Sequence, residues 1–254
     1  MSTPSPESSG SVAGRWQAPS TLQTRAVLAA TWSLFQVSWP SCLPLALVAV
    51  CATGAPGAES IRSGEGRGLD HSAEWWGVYF ASALLTLACY GAVMLRQQAL
   101  ATGTALRGFD ALRRSVLLLP VSVACAIVTL AAVMVGLVLL VLPGLAAIVW
   151  FCFAWTAVLS EGLGPLQAAR RSIALVRGRF LQLAAILGAA LAAVLVFLLL
   201  AGIFFGVAMA IAGQDASGVA LAVSRVLFLA LLSLPVMYLS ATVVSAYQAI
   251  IRQP

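Results

Sequence analysis

Charged side chains are scarce in this 254-residue chain, in which Asp, Glu, Lys and Arg together make up 9%. A soluble domain usually carries about a quarter charged residues. The composition therefore excludes an ordinary soluble domain, because too few charges are present to cover a surface in water. The hydrophobic fraction is 61% and the mean hydropathy is +1.01. These values are typical of a chain surrounded largely by lipid, and we expect no second, soluble catalytic domain within it.

Residues used in metal binding and nucleophilic catalysis are also few. The single histidine, His71, lies in a loop with Glu59, Glu65, Asp70 and Glu74, whose spacing fits no known cation loop. The five cysteines all lie in apolar stretches without metal-ligand or disulfide spacing: Cys42, Cys51, Cys89, Cys125 and Cys152. No intramembrane Ser/His dyad, paired Asp, Gly-rich phosphate loop or nucleotide motif is present. We therefore predict no metal, no cofactor and no enzymatic activity.

Long runs without Asp, Glu, Lys or Arg predict an all-α polytopic transmembrane helical bundle with six spans. One helical span needs about 20 apolar residues. The uncharged run 116–160 is long enough for two spans, and Leu142-Pro143-Gly144 near its middle predicts the turn between them. This turn lies either at the membrane surface or in a re-entrant hairpin, and we favour two full spans.

The predicted organisation is a disordered tail over 1–19 followed by one membrane domain over 20–254. A Gly-rich extracytoplasmic loop is expected over 55–74. The predicted spans are 37–54, 75–95, 116–141, 145–160, 180–211 and 222–250.

The distribution of arginine predicts the orientation of these spans. Lysine is absent, so all 14 basic residues are arginine. Eleven fall in the two tails or in the second-to-third and fourth-to-fifth connections: Arg15, Arg25, Arg96, Arg107, Arg113, Arg114, Arg170, Arg171, Arg177, Arg179 and Arg252. Arg62 and Arg67 lie on the other side, and Arg225 falls within the last span. The positive-inside rule predicts that the arginine-rich side and both termini are cytoplasmic.

Apolar residues at helical spacing beside basic residues predict an amphipathic interfacial helix before each odd-numbered span. Before the first span, a capping box at 20–23 precedes the stripe Leu28, Trp32, Phe35 and Trp39. The second stripe is Leu106, Phe109, Leu112 and Val116, and the third, after Pro165, is Leu166, Ala169, Ile173 and Val176. The chain then consists of three copies of interfacial helix, span and span. The alternative is that these segments are arginine-rich loops, and for the first copy both interpretations stay open.

Seven arginines in the second and third amphipathic segments are the best candidates for ligand contacts. Anionic headgroups attract each such residue by about 1 kcal/mol near the cytoplasmic surface. We predict contacts to anionic lipid headgroups from Arg107, Arg113, Arg114, Arg170, Arg171, Arg177 and Arg179. The alternative is that these residues only set the topology.

Arg225 and Asp215 form a candidate intramembrane polar site. Arg225 lies about two turns into the sixth predicted span, a depth at which arginine is costly unless it is paired or reaches the interface. One interpretation is that Arg225 faces a cavity in the bundle with Asp215 as its partner. The favoured alternative is that its side chain extends to the outer interface.

The segment from Leu142 to Phe180 carries a distinctive set of motifs. These are Leu142-Pro143-Gly144, the aromatic-rich stretch 150–155, Ser160-Glu161-Gly162, Ala168 with Ser172, and Arg177-Gly178-Arg179. This set resembles the six-helix membrane domain that is attached to some glycerophosphodiester phosphodiesterases and also occurs alone in bacterial inner-membrane proteins of unknown function. The ending at Tyr247 lacks the acidic residue usual in that family. The resemblance implies a multi-pass bacterial inner-membrane protein, but not phosphodiesterase activity, since no residue matches the hydrolytic motif.

The expected function is structural or lipid-interacting, with anionic membrane lipids as partners, a membrane-protein partner possible in addition, and no nucleic acid. The alternative is a transporter or a lipid-handling, permease-like protein, which internal repeats favour. Against that alternative, we expect the spans to lack the polar cluster and the broken helices near mid-membrane that a hydrophilic solute requires. The sequence predicts neither a substrate nor an oligomeric state.

Overall fold

The computed structural model describes residues 16, 19, 22–63, 72–104, 106–212 and 218–252, with side chains described outside 57–63, 141–142, 208–212 and 218–227. The described part is helical and contains no strand. Its helices are α1 (Thr24–Ser63), α2 (Ala73–Thr102), α3 (Gly108–Leu117), α4 (Leu119–Leu139), α5 (Val141–Phe151), α6 (Ala154–Glu161), α7 (Pro165–Val176), α8 (Phe180–Ala212) and α9 (Gly218–Ile251).

Six segments of this helical bundle are long and apolar enough to cross a membrane. They are Thr24–Pro56, Ala73–Thr102, Leu119–Leu139, Pro143–Glu161, Phe180–Val207 and Phe228–Ile251. This confirms the predicted all-α polytopic bundle with six spans. The short helices α3 and α7 occupy the positions of the interfacial helices predicted before the third and fifth spans.

The first predicted interfacial helix is not a separate element, because α1 runs without a break for 40 residues through Pro40, Pro44 and Pro56. Proline has a backbone dihedral compatible with a helix, so it can bend a helix without ending it. Since α1 reaches Ser63 and α2 begins at Ala73, the predicted loop over 55–74 is also shorter than expected. At 1.5 Å per residue α1 is about 60 Å long, twice the thickness of the hydrocarbon core.

Trp16 is buried against α1 and lies within the stretch predicted to be a disordered tail. Its side chain is 7% exposed, and its indole nitrogen donates a hydrogen bond to the carbonyl oxygen of Ala30 at 2.9 Å. Ser20 and Thr21 of the predicted capping box lie outside the described residues.

Two groups of helices build the bundle. In one group α1, α2 and α9 pack against each other, and in the other α4, α5, α6 and α7 do so, while α8 packs against α9, α1 and α5. Small residues allow the closest approaches. A Cβ atom at Gly91 of α2 would clash with the Ser115 hydroxyl of α3, and one at Gly136 of α4 would lie 2.9 Å from the Cα atom of Gly144.

The turn between the third and fourth spans lies at Leu140, which is extended, and not at Leu142-Pro143-Gly144 as predicted. Pro143 and Gly144 belong to the first turn of α5, where proline is tolerated and the missing side chain of Gly144 lets the backbones of α4 and α5 approach. The tip of this hairpin exposes Val138, Leu139 and Leu140. Consecutive exposed side chains of this kind favour contact with lipid over water.

The fourth span is broken at Cys152 and Phe153, between α5 and α6. The fully buried hydroxyl of Ser172, in α7, binds both sides of the break. It donates a hydrogen bond to the carbonyl oxygen of Trp150 at 2.6 Å and accepts one from the Phe153 amide at 3.1 Å. Backbone groups freed inside a membrane need such partners because lipid offers none. Ser172 therefore makes the broken span possible and joins it to α7.

Replacing Ser172 with alanine should destabilise the bundle, because the Phe153 amide then has no partner. We expect Ser172→Ala to lower the free energy of unfolding by about 1–3 kcal/mol, measured by SDS titration in mixed micelles. Ala174→Ser, at an exposed position of the same helix, should leave the unfolding curve unchanged. Equal stabilities of Ser172→Ala and the parent protein would contradict this account of the break.

Candidate functional site

The seven candidate arginines form two groups at one end of the bundle. Arg107 directly precedes α3, which contains Arg113 and Arg114, and this helix packs mainly against α2. The other group is Arg170 and Arg171 in α7, followed by Arg177 and Arg179, and α7 packs against α4, α5 and α6. All except the half-buried Arg179 are exposed. We call this end, formed by α3, α7 and the last turns of α2, α6 and α9, the arginine-rich end.

The other predicted site lies largely outside the described residues. Asp215 is not described, and of Arg225 only the backbone is described, within α9. His71, Asp70 and Glu65 also lie outside the described part. The pairing of Arg225 with Asp215 therefore stays a prediction.

A polar network joins three helices at the arginine-rich end. Glu161, the last residue of α6, accepts a hydrogen bond from the hydroxyl of Tyr247 in α9. The Nε atom of Arg171 lies 3.4 Å from both carboxylate oxygens of Glu161, and the Ser160 hydroxyl lies 3.5 Å from that of Tyr247. Gly162, with a φ of 66°, ends α6 directly after Glu161 in the left-handed conformation that favours glycine. The network therefore connects the acidic-Gly motif to the Tyr247 region.

A second buried polar cluster centres on Gln97 of α2, which is fully buried. Its Nε2 atom donates to the Met237 carbonyl oxygen at 3.0 Å and lies 3.5 Å from the Ser38 hydroxyl. Its Oε1 atom accepts a hydrogen bond from Ser240 at 2.7 Å. Gln97 thus links α1, α2 and α9 near the arginine-rich end of α2.

The expectation that the spans lack polar clusters and broken helices is therefore corrected in two places. The fourth span is broken near its middle, at Cys152 and Phe153. A buried polar cluster exists around Gln97, although it lies toward one end of α2. The adjacent glutamines Gln97 and Gln98 at the end of an apolar run were the sequence signal for that cluster.

A cavity of about 270 Å³ opens between α2, α3, α6 and α9 at the arginine-rich end. We call it the arginine-end cavity. Its apolar wall includes Leu95, Ala99, Leu106 and Leu159, and its polar lining residues are Gln98, Thr102, Thr104, Arg114, Ser160 and Gln248. None of these lining residues is acidic. Of the seven candidate arginines, only Arg114 lines it.

Gln98 is the least satisfied polar residue of this cavity. Its side chain is 7% exposed, and its Nε2 atom has no hydrogen-bond partner in the described part of the chain. Its neighbour Gln97, in contrast, uses both its amide nitrogen and its amide oxygen. Sequence reasoning did not single out either glutamine.

Two further cavities lie elsewhere in the bundle. An outer cleft of about 350 Å³ lies near the start of α2 and is lined by residues that include Thr53, Tyr79, Ala83, Tyr90 and Trp155. A groove of about 330 Å³ between α1, α8 and α9 is lined mainly by apolar and aromatic side chains. Within the described residues, no three His, Cys, Asp or Glu side chains are grouped closely enough to hold a metal ion.

No family model, curated protein or solved structure matches this chain. The resemblance of residues 142–180 to the six-helix membrane domain therefore stays a prediction.

The hydrogen bond between Tyr247 and Glu161 should stabilise the contact of α6 with α9. We expect Tyr247→Phe to lower the free energy of unfolding by about 1–3 kcal/mol, because it removes a partner of a carboxylate in a partly buried site. Glu161→Gln should cost less in the Tyr247→Phe background than in the parent protein, since residues in one network are not additive.

The double-mutant cycle is measured by SDS titration, with Tyr238→Phe as the control. Tyr238 lies in the same helix, and its hydroxyl makes no hydrogen bond within the described residues. Strictly additive effects of Tyr247→Phe and Glu161→Gln would show that the two side chains are not coupled.

Proposed function

We propose that this chain is a non-enzymatic integral protein of a bacterial inner membrane that binds anionic lipid through the arginines of α3 and α7. Both termini lie in the cytoplasm, on the arginine-rich side. The positive-inside rule supports this orientation, because the two short basic helices and the ends of α2, α6 and α9 share that side. The resemblance of residues 142–180 supports the bacterial inner membrane. A membrane-protein partner is compatible with this role.

The observation that carries the proposal is the arrangement of side chains on α3 and α7. On α3, Phe109 and Leu117 are 77% and 71% exposed beside the exposed Arg113, and on α7 Leu166 is 63% exposed beside the exposed Arg170. A helix lying in the interface needs apolar side chains that reach the acyl region and basic side chains that reach the headgroups. Long arginine side chains can satisfy this geometry from one helix.

Small residues hold both helices onto the bundle. In α3 the buried residues are Ala111 and Ser115, and in α7 they include Ala168 and Ser172. The bulky apolar residues Phe109 and Leu166 are therefore not used in packing against the protein. Their exposure at the arginine-rich end fits contact with lipid at the level of the headgroups.

Removing arginines from these two helices should weaken the binding of anionic lipid. Arg170→Gln with Arg177→Gln, and Arg107→Gln with Arg113→Gln, each remove two exposed charges that form no ion pair within the described residues. At about 1 kcal/mol per charge, we expect roughly 30-fold weaker binding of phosphatidylglycerol by each pair. Native mass spectrometry of delipidated protein titrated with phosphatidylglycerol in a mild detergent measures this effect.

The matched control is Arg62→Gln with Arg67→Gln, which removes the same charge from positions outside α3 and α7. This control should bind phosphatidylglycerol like the parent protein. If all three double variants bind phosphatidylglycerol as tightly as the parent protein does, the arginines of α3 and α7 serve the topology alone and the proposal is wrong.

Lipid transport is a second candidate function, favoured by the positions of two cavities. The outer cleft and the arginine-end cavity both border α2 and α6. A tightly packed layer separates them, in which Gly91 faces Ser115, and the Thr156 hydroxyl donates to the sulfur of Met94 at 3.6 Å. The broken fourth span borders the same region, and broken helices are common at substrate sites of transporters.

A lipid-flipping assay tests this second candidate. The protein is reconstituted into vesicles that contain fluorescent phosphatidylglycerol, and dithionite is added outside. Dithionite bleaches lipid in the outer leaflet, so inner-leaflet lipid should lose its fluorescence faster in these vesicles than in protein-free vesicles. Ala83→Phe, which fills the outer cleft, should slow flipping, whereas Ala81→Phe, exposed on the same helix and outside the cleft, should not. Flipping no faster than in protein-free vesicles would eliminate lipid transport.

A further inference from the structure

We propose that the arginine-end cavity is a binding site for one phosphate group, carried either by a phospholipid headgroup or by a small soluble phosphate ester. This inference rests on the proposed function, because it places a specific site at the same end of the bundle. It goes further by assigning recognition to Gln98, Arg114 and Gln248, which come from α2, α3 and α9. Of these, only Arg114 belongs to the surface arginines considered so far.

The side-chain amide of Gln98 indicates that a hydrogen-bond acceptor belongs in this cavity. A buried amide group without a hydrogen-bond partner costs about 1–3 kcal/mol, so such groups are rare and call for an explanation. The adjacent Gln97 shows that this bundle can satisfy a buried amide fully. Since the Nε2 atom of Gln98 has no partner among the described residues and lies at the wall of a polar cavity, an acceptor oxygen of a ligand would complete its hydrogen bonding.

The charge of the cavity favours an anion. Arg114 is its one charged lining residue, and it forms no ion pair within the described residues. The nearest acidic residue along the chain, Glu161, follows the lining residue Ser160 but is already bound by Tyr247 and Arg171. A second guanidinium, that of Arg252, donates to the carbonyl oxygen of Ala101 at 3.4 Å, directly beside the lining residue Thr102.

The lining donors that have no hydrogen-bond acceptor within the described residues are nitrogen atoms. The hydroxyls of Thr102 and Thr104 each donate to the carbonyl oxygen of Ala99, and that of Ser160 donates to Thr156. Among the described residues, this leaves the amides of Gln98 and Gln248 and the guanidinium of Arg114 as lining donors for a ligand. Donors on three helices suit a group with several acceptor oxygens pointing in different directions, as phosphate has.

The size and surroundings of the cavity limit the ligand. At about 270 Å³ it is smaller than the usual range for drug-sized ligands, so it fits a headgroup fragment and not a whole lipid. Arg114 shares α3 with the exposed Phe109, Val116 and Leu117, which would contact the acyl chains of a lipid whose phosphate occupied the cavity. A soluble phosphate ester offers the same oxygens without those chains.

The test uses the full-length protein, delipidated in a mild detergent, with three probes: phosphatidylglycerol, glycerol 3-phosphate and inorganic phosphate. Binding is measured by native mass spectrometry for the lipid and by the shift in Tm for the soluble probes. We expect one saturable site. Gln98→Leu and Arg114→Gln should each weaken binding roughly tenfold or more, because each removes a hydrogen bond to a charged group.

The control is Arg25→Gln, which removes an exposed arginine of α1 that does not line the cavity and is not one of the seven candidate arginines. It should leave the saturable site intact. Without ligand, Gln98→Leu should have a Tm equal to or above that of the parent protein, because it removes an unpartnered buried polar group. This separates loss of the site from loss of the fold.

The three probes also distinguish a soluble phosphate ester from a lipid headgroup, and the variants distinguish the cavity site from lipid binding at the surface of α7. Binding of glycerol 3-phosphate that depends on Gln98 and Arg114 indicates a soluble ester, and dependence seen only with phosphatidylglycerol indicates a lipid headgroup; both support the site. If Gln98→Leu and Arg114→Gln bind every probe like the parent protein, the site is wrong. In that case the Arg170 and Arg177 pair still decides separately whether α7 binds lipid at its surface.

Discussion

Backbone amide and carbonyl groups inside lipid have no water to bind, so every irregularity in a span needs a partner from the protein itself. Three side chains of this bundle bind backbone groups of a neighbouring helix. Ser172 bridges the break between α5 and α6, Arg96 donates to the Ser41 carbonyl oxygen of α1 at 2.6 Å, and Gln97 donates to Met237 of α9. Each contact joins two helices, and the one from Ser172 lies at an interruption, whereas Ser41 and Met237 lie within the continuous helices α1 and α9.

A second set of polar side chains lies at the arginine-rich end. Glu161 is held there by Tyr247 and Arg171, which leaves no free carboxylate at the wall of the arginine-end cavity. In the described part of the chain, the amide of Gln98 has no partner and Arg114 forms no ion pair, so the cavity between them can accept an anion. The same end carries the exposed apolar side chains of α3 and α7, so a headgroup and its acyl chains would meet complementary surfaces on neighbouring elements.

Much of the fold was predictable because lipid imposes a simple rule on composition. Runs without charge gave six spans, and the stripes beside Arg107 and Arg170 gave α3 and α7. The break at Cys152 could not be predicted from its own neighbourhood, since no Pro or Gly lies there and its partner, Ser172, is 20 positions away. Continuity of α1 was missed because the stripe from Leu28 to Trp39 was assigned to a separate interfacial helix, whereas it forms the first part of one 40-residue helix.

The candidate site was predictable only in part, for a related reason. The second span was predicted to end at residue 95, because the uncharged run stops before Arg96. The two glutamines that follow Arg96 therefore fell outside the predicted span. In the structure α2 continues to Thr102, and tertiary packing decides that Gln97 is satisfied while Gln98 is not. Which polar residues converge depends on contacts between distant helices, and a single sequence does not contain that information.

The most direct test of the account is a high-resolution cryo-electron microscopy structure of the protein in nanodiscs that contain phosphatidylglycerol. We expect phosphate density in the arginine-end cavity, within hydrogen-bonding distance of the Gln98 amide and the Arg114 guanidinium. An arginine-end cavity without phosphate density, with the Gln98 amide bound to another protein group, would contradict this expectation.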